Sequence, residues 1–182
     1  MSGAGGTISR LRAAVREAGT PLESALGDEP DITPPPGGEL AELAAAGPRA
    51  AAHREDVEIA VAAVEEGYRL HYGQARALSI DEPDLALLAG DRLYALGLAR
   101  LAAIGDMTAI AELADVIALG AQAHAAGDTE LADAAWQAGA TAIGWGPTPR
   151  AAAAKAHARA GRRDAAGALR DAARAPSEPP LV

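Results

Sequence analysis

Apolar positions recur along this chain at intervals of three and four rather than two, in runs separated by glycine and proline. That rhythm predicts helices joined by short breaks. The clearest run, residues 54–72, sets Val57, Val61, Val64, Tyr68 and His71 at helical spacing, with Glu55, Glu58, Glu65, Glu66 and Arg69 elsewhere around the turn. One apolar and one charged face predict a half-buried helix. Residues 84–104 differ, because Leu85, Leu87, Leu88, Leu93, Leu96, Leu98, Leu101 and Ile104 point in nearly every direction. Such a helix is expected at the centre of a bundle. Asp91, on the same face as Leu87, Tyr94 and Leu98, is then expected to be a buried or half-buried carboxylate with a hydrogen-bonding partner.

Breaks between runs are marked by side-chain chemistry. Gly105-Asp106 and Gly127-Asp128 each predict the end of one helix and the start of the next. Glycine tolerates the left-handed stop, and aspartate accepts hydrogen bonds from the first exposed amides. Between and beyond them, Ile110, Leu113, Ile117 and Gly120, then Leu131, Ala135, Ala138 and Ala142, mark two further apolar stripes. Short loops make such helices antiparallel neighbours. Pro83 suits a first helical position. Upstream, residues 8–18 and 39–45 predict short helices around a Pro- and Gly-rich linker containing Pro34, Pro35, Pro36, Gly37 and Gly38. Downstream, residues 151–160 and 164–173 predict a last alanine-rich hairpin around Gly161. The expected organisation is a flexible-ended segment 1–49, a helical bundle core 50–146, and a basic hairpin with a disordered tail, 147–182.

Composition sharpens the fold class. Among 182 residues there are no phenylalanines and five aromatic rings, Tyr68, Tyr72, Tyr94, Trp136 and Trp145. A chain dominated by alanine and leucine favours helices over strands, so the expectation is an all-α antiparallel bundle. The absence of cysteine removes disulfides, thiolate nucleophiles and zinc fingers, and fits a reducing, cytoplasmic setting. No run reaches the roughly 18 apolar residues of a membrane span. The net charge of −9 hides an asymmetry: residues 147–182 hold seven basic and three acidic residues (+4), leaving nine basic and 22 acidic before them (−13). An acidic body argues against nucleic acid as a partner.

The run Leu87-Leu88-Ala89-Gly90-Asp91-Arg92-Leu93-Tyr94-Ala95-Leu96 resembles the central helix of trans-polyprenyl diphosphate synthases, which reads as leucines, Ala-Gly-Asp, and a bulky apolar pair. The order of elements is also similar: an amphipathic helix, the Gly-Asp helix, then a helix ending in a polar patch at Gln122, His124 and Gly127. Catalysis in that family requires two aspartate-rich motifs that hold magnesium against the substrate diphosphate, and this chain has no Asp-Asp pair. Asp28-Glu29-Pro30-Asp31 and Asp81-Glu82-Pro83-Asp84 interrupt their acids with proline and are better explained as helix starts. The chain therefore most resembles the non-catalytic component I of two-component heptaprenyl diphosphate synthases. The resemblance implies a truncated isoprenoid-synthase core and an accessory subunit with no cofactor or metal of its own. Its partner would be a catalytic polyprenyl diphosphate synthase, and the pair would make the menaquinone side chain. Tyr68, His71, Leu87, Asp91, Tyr94 and Leu98 would face the pairing surface or the prenyl channel; ordinary core packing explains the same positions. A homo-oligomer is the other assembly considered.

A second reading comes from an internal repeat. The helices opened by Gly127-Asp128 and by Gly161 start 34 residues apart, the period of tetratricopeptide repeats, which bury their apolar faces by stacking. That predicts a protein-interaction module. Other site chemistries are unsupported: His53, His71, His124 and His157 lack metal-ligand spacing, and no nucleophile or phosphate-loop motif is present. Trp136, within a helix, and Trp145, between glycines, read as structural anchors.

Overall fold

A computed structural model describes residues 4–19, 21–26 and 38–174. The linker around Pro34 to Pro36, the acids Asp28 to Asp31 and the expected tail beyond residue 174 lie outside the described residues. Among those described, the elements are all helical: α1 (Ala4–Glu17), α2 (Glu39–Ala46), α3 (Arg54–Tyr72), α4 (Pro83–Ala103), α5 (Met107–Ala125), α6 (Thr129–Trp145), α7 (Pro149–Arg159) and α8 (Ala165–Ala172), with short 3-10 turns at Pro21–Leu26 and Pro48–Ala50. No helix among them is long and apolar enough to cross a membrane.

The predicted breaks fall where side chains cap helices. Gly105 and Gly127 take left-handed φ values of 75° and 68°, and the next residue in each case accepts from a first-turn amide: Asp106 from Ala109 N at 3.0 Å and Asp128 from Leu131 N at 2.9 Å. Glu82 caps α4 through the amides of Asp84 and Leu85, with Pro83 as first residue. This accounts for the acids around Pro83 as helix-start chemistry.

The centre of the bundle is not the expected helix. In α3 every residue from Val57 to Gly67 is buried, and α1, α2, α4 and α5 pack around it. In α4 only Ala89, Gly90, Leu93, Gly97 and Leu101 are buried, while Leu85, Leu87 and Leu88 are 49 %, 46 % and 66 % exposed. The apolar residues all round α4 thus mark a peripheral helix with a second, uncovered apolar face. Conversely, three glutamates of α3 that looked like a solvated surface are interior and individually satisfied. Glu58 accepts from Thr7 Oγ1 and from Arg10 of α1. Glu65 accepts from Arg69 and Arg76. Glu66 accepts from the backbone amides of Arg76, Ala77 and Leu78 at 2.7, 2.6 and 3.2 Å. Burial raises the Glu66 pKa, with the amides and the Arg76 charge opposing it. A carboxylate is tolerated indoors only when its lone pairs are filled.

Small residues set how closely α3 and α4 approach. A Cβ added at Gly67 would stand 2.7 Å from Gly90 O, and one at Gly97 would stand 2.6 Å from Ala60 O. Ala60 and Gly67 on one helix, and Gly90 and Gly97 on the other, are each seven residues apart, so the two contacts repeat along an antiparallel pair. Leu93 and Leu101, fully buried between them, each contribute about 2 kcal/mol by burial.

Two apolar clusters result. The larger joins α1 (Leu11, Val15), α2 (Ala41, Ala44), α3, α4 (Leu93, Leu101), α5 (Leu113, Val116) and α6 (Trp136, Ile143); residues on both sides of position 50 share it. The smaller lies between the ends of α5 and α6 and the hairpin α7–α8, through Leu119, Leu131, Ala135, Ala158 and Leu169. Beside it, the buried Lys155 of α7 donates to Glu112 and Asp115 of α5, and Arg159 reaches Asp115 as well. Burial alone would raise Asp115, but the hydrogen bonds and charges of Lys155 and Arg159 outweigh it and hold this carboxyl below its ordinary range.

Candidate functional site

Four of the five aromatic rings and two of the four histidines stand in one ladder across α3, α4, α5 and α6. Tyr68 lies 5.0 Å from Tyr72 and 5.6 Å, edge-on, from Trp136; Tyr72 lies 4.5 Å from His124; His71 lies 5.7 Å from Tyr72 and 5.2 Å from Tyr94. Spacing on α3 explains half of this, because Tyr68 and Tyr72 are one turn apart and His71 sits beside them. Glycine explains the rest. A Cβ at Gly120 would press on the Tyr68 ring at 2.9 Å, and one at Gly90 would overlap the imidazole of His71. The glycine of Gly90-Asp91 is therefore the seat of the His71 ring.

His71 Nε2 stands 3.1 Å from the carbonyl oxygen of Leu87 and 3.3 Å from Oδ1 of Asp91. Both neighbours are acceptors, so this nitrogen carries the hydrogen and donates. Asp91 thus has a partner, but not an interior position: its side chain is 69 % exposed. This corrects the expectation of a buried carboxylate. Rotation of α4 turns Gly90 and Leu93 inward and Asp91 and Arg92 outward. Leu87 enters the site through its carbonyl, with its side chain 46 % exposed, and Leu98 packs half-buried against the main cluster. Tyr68, His71 and Tyr94 do meet.

The sequence reading missed Tyr72, His124 and Trp136 as members. The repeat of aromatic residues at Tyr68 and Tyr72 was the available signal. The Tyr94 hydroxyl is buried without a hydrogen-bond partner among the described residues, and desolvation, followed by the neighbouring Tyr72, Tyr68 and Asp91, pushes its pKa far up. Tyr68 is shifted the same way, first by burial and then by Tyr72 and Asp133. Both phenols stay protonated and serve as packing groups rather than bases. Among the described residues no three His, Asp or Glu side chains converge as metal ligands.

Two surfaces adjoin the ladder. A groove of about 640 Å³ runs between α2, α3, α6 and α8, with Leu40, Leu43, Tyr68 and Trp136 on its walls and Arg69 and Arg170 at its rim. The indole Nε1 of Trp136 is buried without an acceptor among the described residues. On the opposite side of the α3–α4 pair, Leu85, Leu88, Arg92, Ala95, Ala99 and Ala102 are all exposed. They follow one another at alternating intervals of three and four. That is the seam spacing by which one helix packs on another, and Met107, 68 % exposed at the start of α5, lies just past its end.

Comparison with known proteins finds no matching family model, no matching curated protein and no matching solved structure.

Proposed function

We propose that this chain is a non-catalytic pairing subunit that works beside a catalytic polyprenyl diphosphate synthase, with the outer seam of α4 as its docking face. The observation that carries the reading is that seam: a helix with one apolar face committed to α3 and a second left in water, its leucines uncovered. Exposed leucines in a row cost stability and solubility unless something covers them. The run from Leu87 to Leu96 on the same helix carries a resemblance to the accessory component in sequence only, since α4 lies at the edge of the bundle with Asp91 69 % exposed rather than at its centre, and the missing Asp-Asp pair is the reason for a separate catalyst. Leu87 and Asp91 belong to the docking side. Tyr68, His71, Tyr94 and Leu98 brace α4 from within, so that the seam is presented on a rigid element.

The test is co-expression with the polyprenyl diphosphate synthase of the same organism, purification through a tag on one chain, and comparison of product lengths with and without the other. Association with an altered product length is expected, and Leu88→Glu should abolish it while the variant remains folded. No association and unchanged products would reject the reading.

A second reading, a helical-repeat interaction module, has its own observation. Hairpins α5–α6 and α7–α8 stack through a shared small core, and their second helices follow glycine stops at Gly127 and Gly161, one tetratricopeptide period apart. Capture of a partner that is not a synthase, lost when the α7–α8 hairpin is altered and kept with Leu88→Glu, would favour it.

A further inference from the structure

The outer seam of α4 is graded along its length. Its bulky residues, Leu85 and Leu88, stand at the N-terminal end and its small ones, Ala99 and Ala102, at the C-terminal end, with Arg92 and Ala95 between them. Such a gradient selects what can lie on it. A helix whose bulk is graded the opposite way closes against it with an even gap, and the same seam run antiparallel has that grading. The point midway between positions 85 and 102 is also midway between 88 and 99 and between 92 and 95. A second copy turned about that point sets Leu85 on Ala102, Leu88 on Ala99 and Arg92 on Ala95, each contact occurring twice. Large faces small throughout, which keeps one interaxial distance along the pair. The parallel alternative stacks leucine on leucine and alanine on alanine, splaying one end, and sets Arg92 against its own equivalent.

Charge agrees with the antiparallel arrangement. Arg92 is exposed and has no ion-pair partner among the described residues, and Asp91 beside it is 69 % exposed, with Oδ1 turned to His71. Both residues sit next to the two-fold, so the pair gathers two aspartates and two arginines at its centre as a neutral quartet. Each Arg92 there lies about 6 Å along the axis from the other copy's Asp91, at roughly 1.5 Å per residue, within the reach of its side chain. The strip itself is narrow, about 26 Å long and about 10 Å wide. That is well below the roughly 800 Å² per partner of a standard interface, so the pair exchanges readily with the monomer. We propose that the seam of α4 pairs with the same seam of a second copy, in an antiparallel, two-fold-symmetric dimer that dissociates on dilution. This assignment does not depend on the synthase reading; where both hold, the two partners compete for one face.

Concentration and register test this on the full chain, purified alone. Light scattering across a dilution series should show a dimer giving way to monomer, and Leu88→Glu, with the helicity and unfolding midpoint of the parent, should be monomeric throughout. Because the chain has no cysteine, two single replacements read the register: Leu88→Cys in one batch and Ala99→Cys in another. Mixed and oxidised, unlike chains should link about tenfold faster than either batch links to itself, since like positions stand roughly 16 Å apart along the axis, beyond the span of a disulfide. The linked products differ in mass, so mass spectrometry tells them apart. A monomer at every concentration, or Leu88→Cys linking to itself as fast as to Ala99→Cys, would overturn the proposal. A self-paired chain that captures no synthase would leave it standing and reject the synthase reading alone.

Discussion

Helices α3 and α4 lie against each other as an antiparallel pair, yet their compositions and their positions are inverted. The one with glutamates at Glu58, Glu65 and Glu66 is enclosed on all sides, and the one with leucines at Leu85, Leu87 and Leu88 faces water. The difference lies in what each helix is given by distant parts of the chain. Arg10, Arg76 and the amides of residues 76–78 come to the glutamates, so three interior charges are satisfied. The leucines stay about half or more in water, Leu85 at 49 %, Leu87 at 46 % and Leu88 at 66 %. Burial is therefore decided by available partners as much as by polarity, and an apolar face without one is a surface waiting to be covered.

The sharpest way to break this arrangement is at the small residues that let the two helices approach. Gly97→Leu places a side chain where even a Cβ would meet Ala60 O at 2.6 Å, and should cost at least about 3 kcal/mol through forced separation; a thermal unfolding scan reads the loss directly. Next comes the buried glutamate. Glu66→Ala orphans the amides of Arg76, Ala77 and Leu78 and should cost about 2 to 3 kcal/mol, measured by urea unfolding, with Glu66→Gln milder because its carbonyl still accepts.

The pH dependence of that site follows from the direction of its shift. Glu66 has a folded pKa raised above its unfolded value, so its contribution is fully present below the unfolded value and is lost as pH rises through the folded one. The wild-type chain should therefore gain stability relative to Glu66→Gln on acidification toward pH 4, a range set by the usual glutamate pKa. A constant or reversed difference in midpoint would contradict the assignment.

Smaller effects sharpen the contrast between the helices. Leu88→Glu on the exposed seam should alter stability by no more than about 0.5 kcal/mol while changing the state of association seen by light scattering. Opposite in sign is Tyr94→Phe, which deletes a buried hydroxyl lacking a partner among the described residues. It should be neutral or stabilising by up to about 1 kcal/mol; a clear loss of stability would mean that the hydroxyl is in fact satisfied.

What could be read from the sequence was local. The stops at Gly105 and Gly127, the caps at Asp106 and Asp128 and the helical rhythm all depend on residues within a few positions of one another, and all appear as expected. The environment of Asp91 was not local. Two neighbouring helices with similar apolar content can exchange centre and edge, and only the rotation of α4 about its axis decides whether Gly90 or Asp91 turns inward. The ladder was half legible, since Tyr68 and His71 share α3. His124 and Trp136 join it through contacts between helices far apart in sequence. One signal was legible in principle: the matched seven-residue intervals of Ala60 and Gly67, and of Gly90 and Gly97, mark where two helix backbones touch.

The ion cluster around Lys155 has a consequence of its own. It fastens α7 to α5 by charge, beside a small alanine core that grips weakly. Asp115, with its pKa depressed by Lys155 and Arg159, contributes stability above the ordinary aspartate range that disappears as pH falls through its folded value. Acid works on this clasp in the sense opposite to its action at Glu66. What acid loosens is therefore the seat of α7 on α5, and the surface beneath the hairpin belongs to α5 and α6.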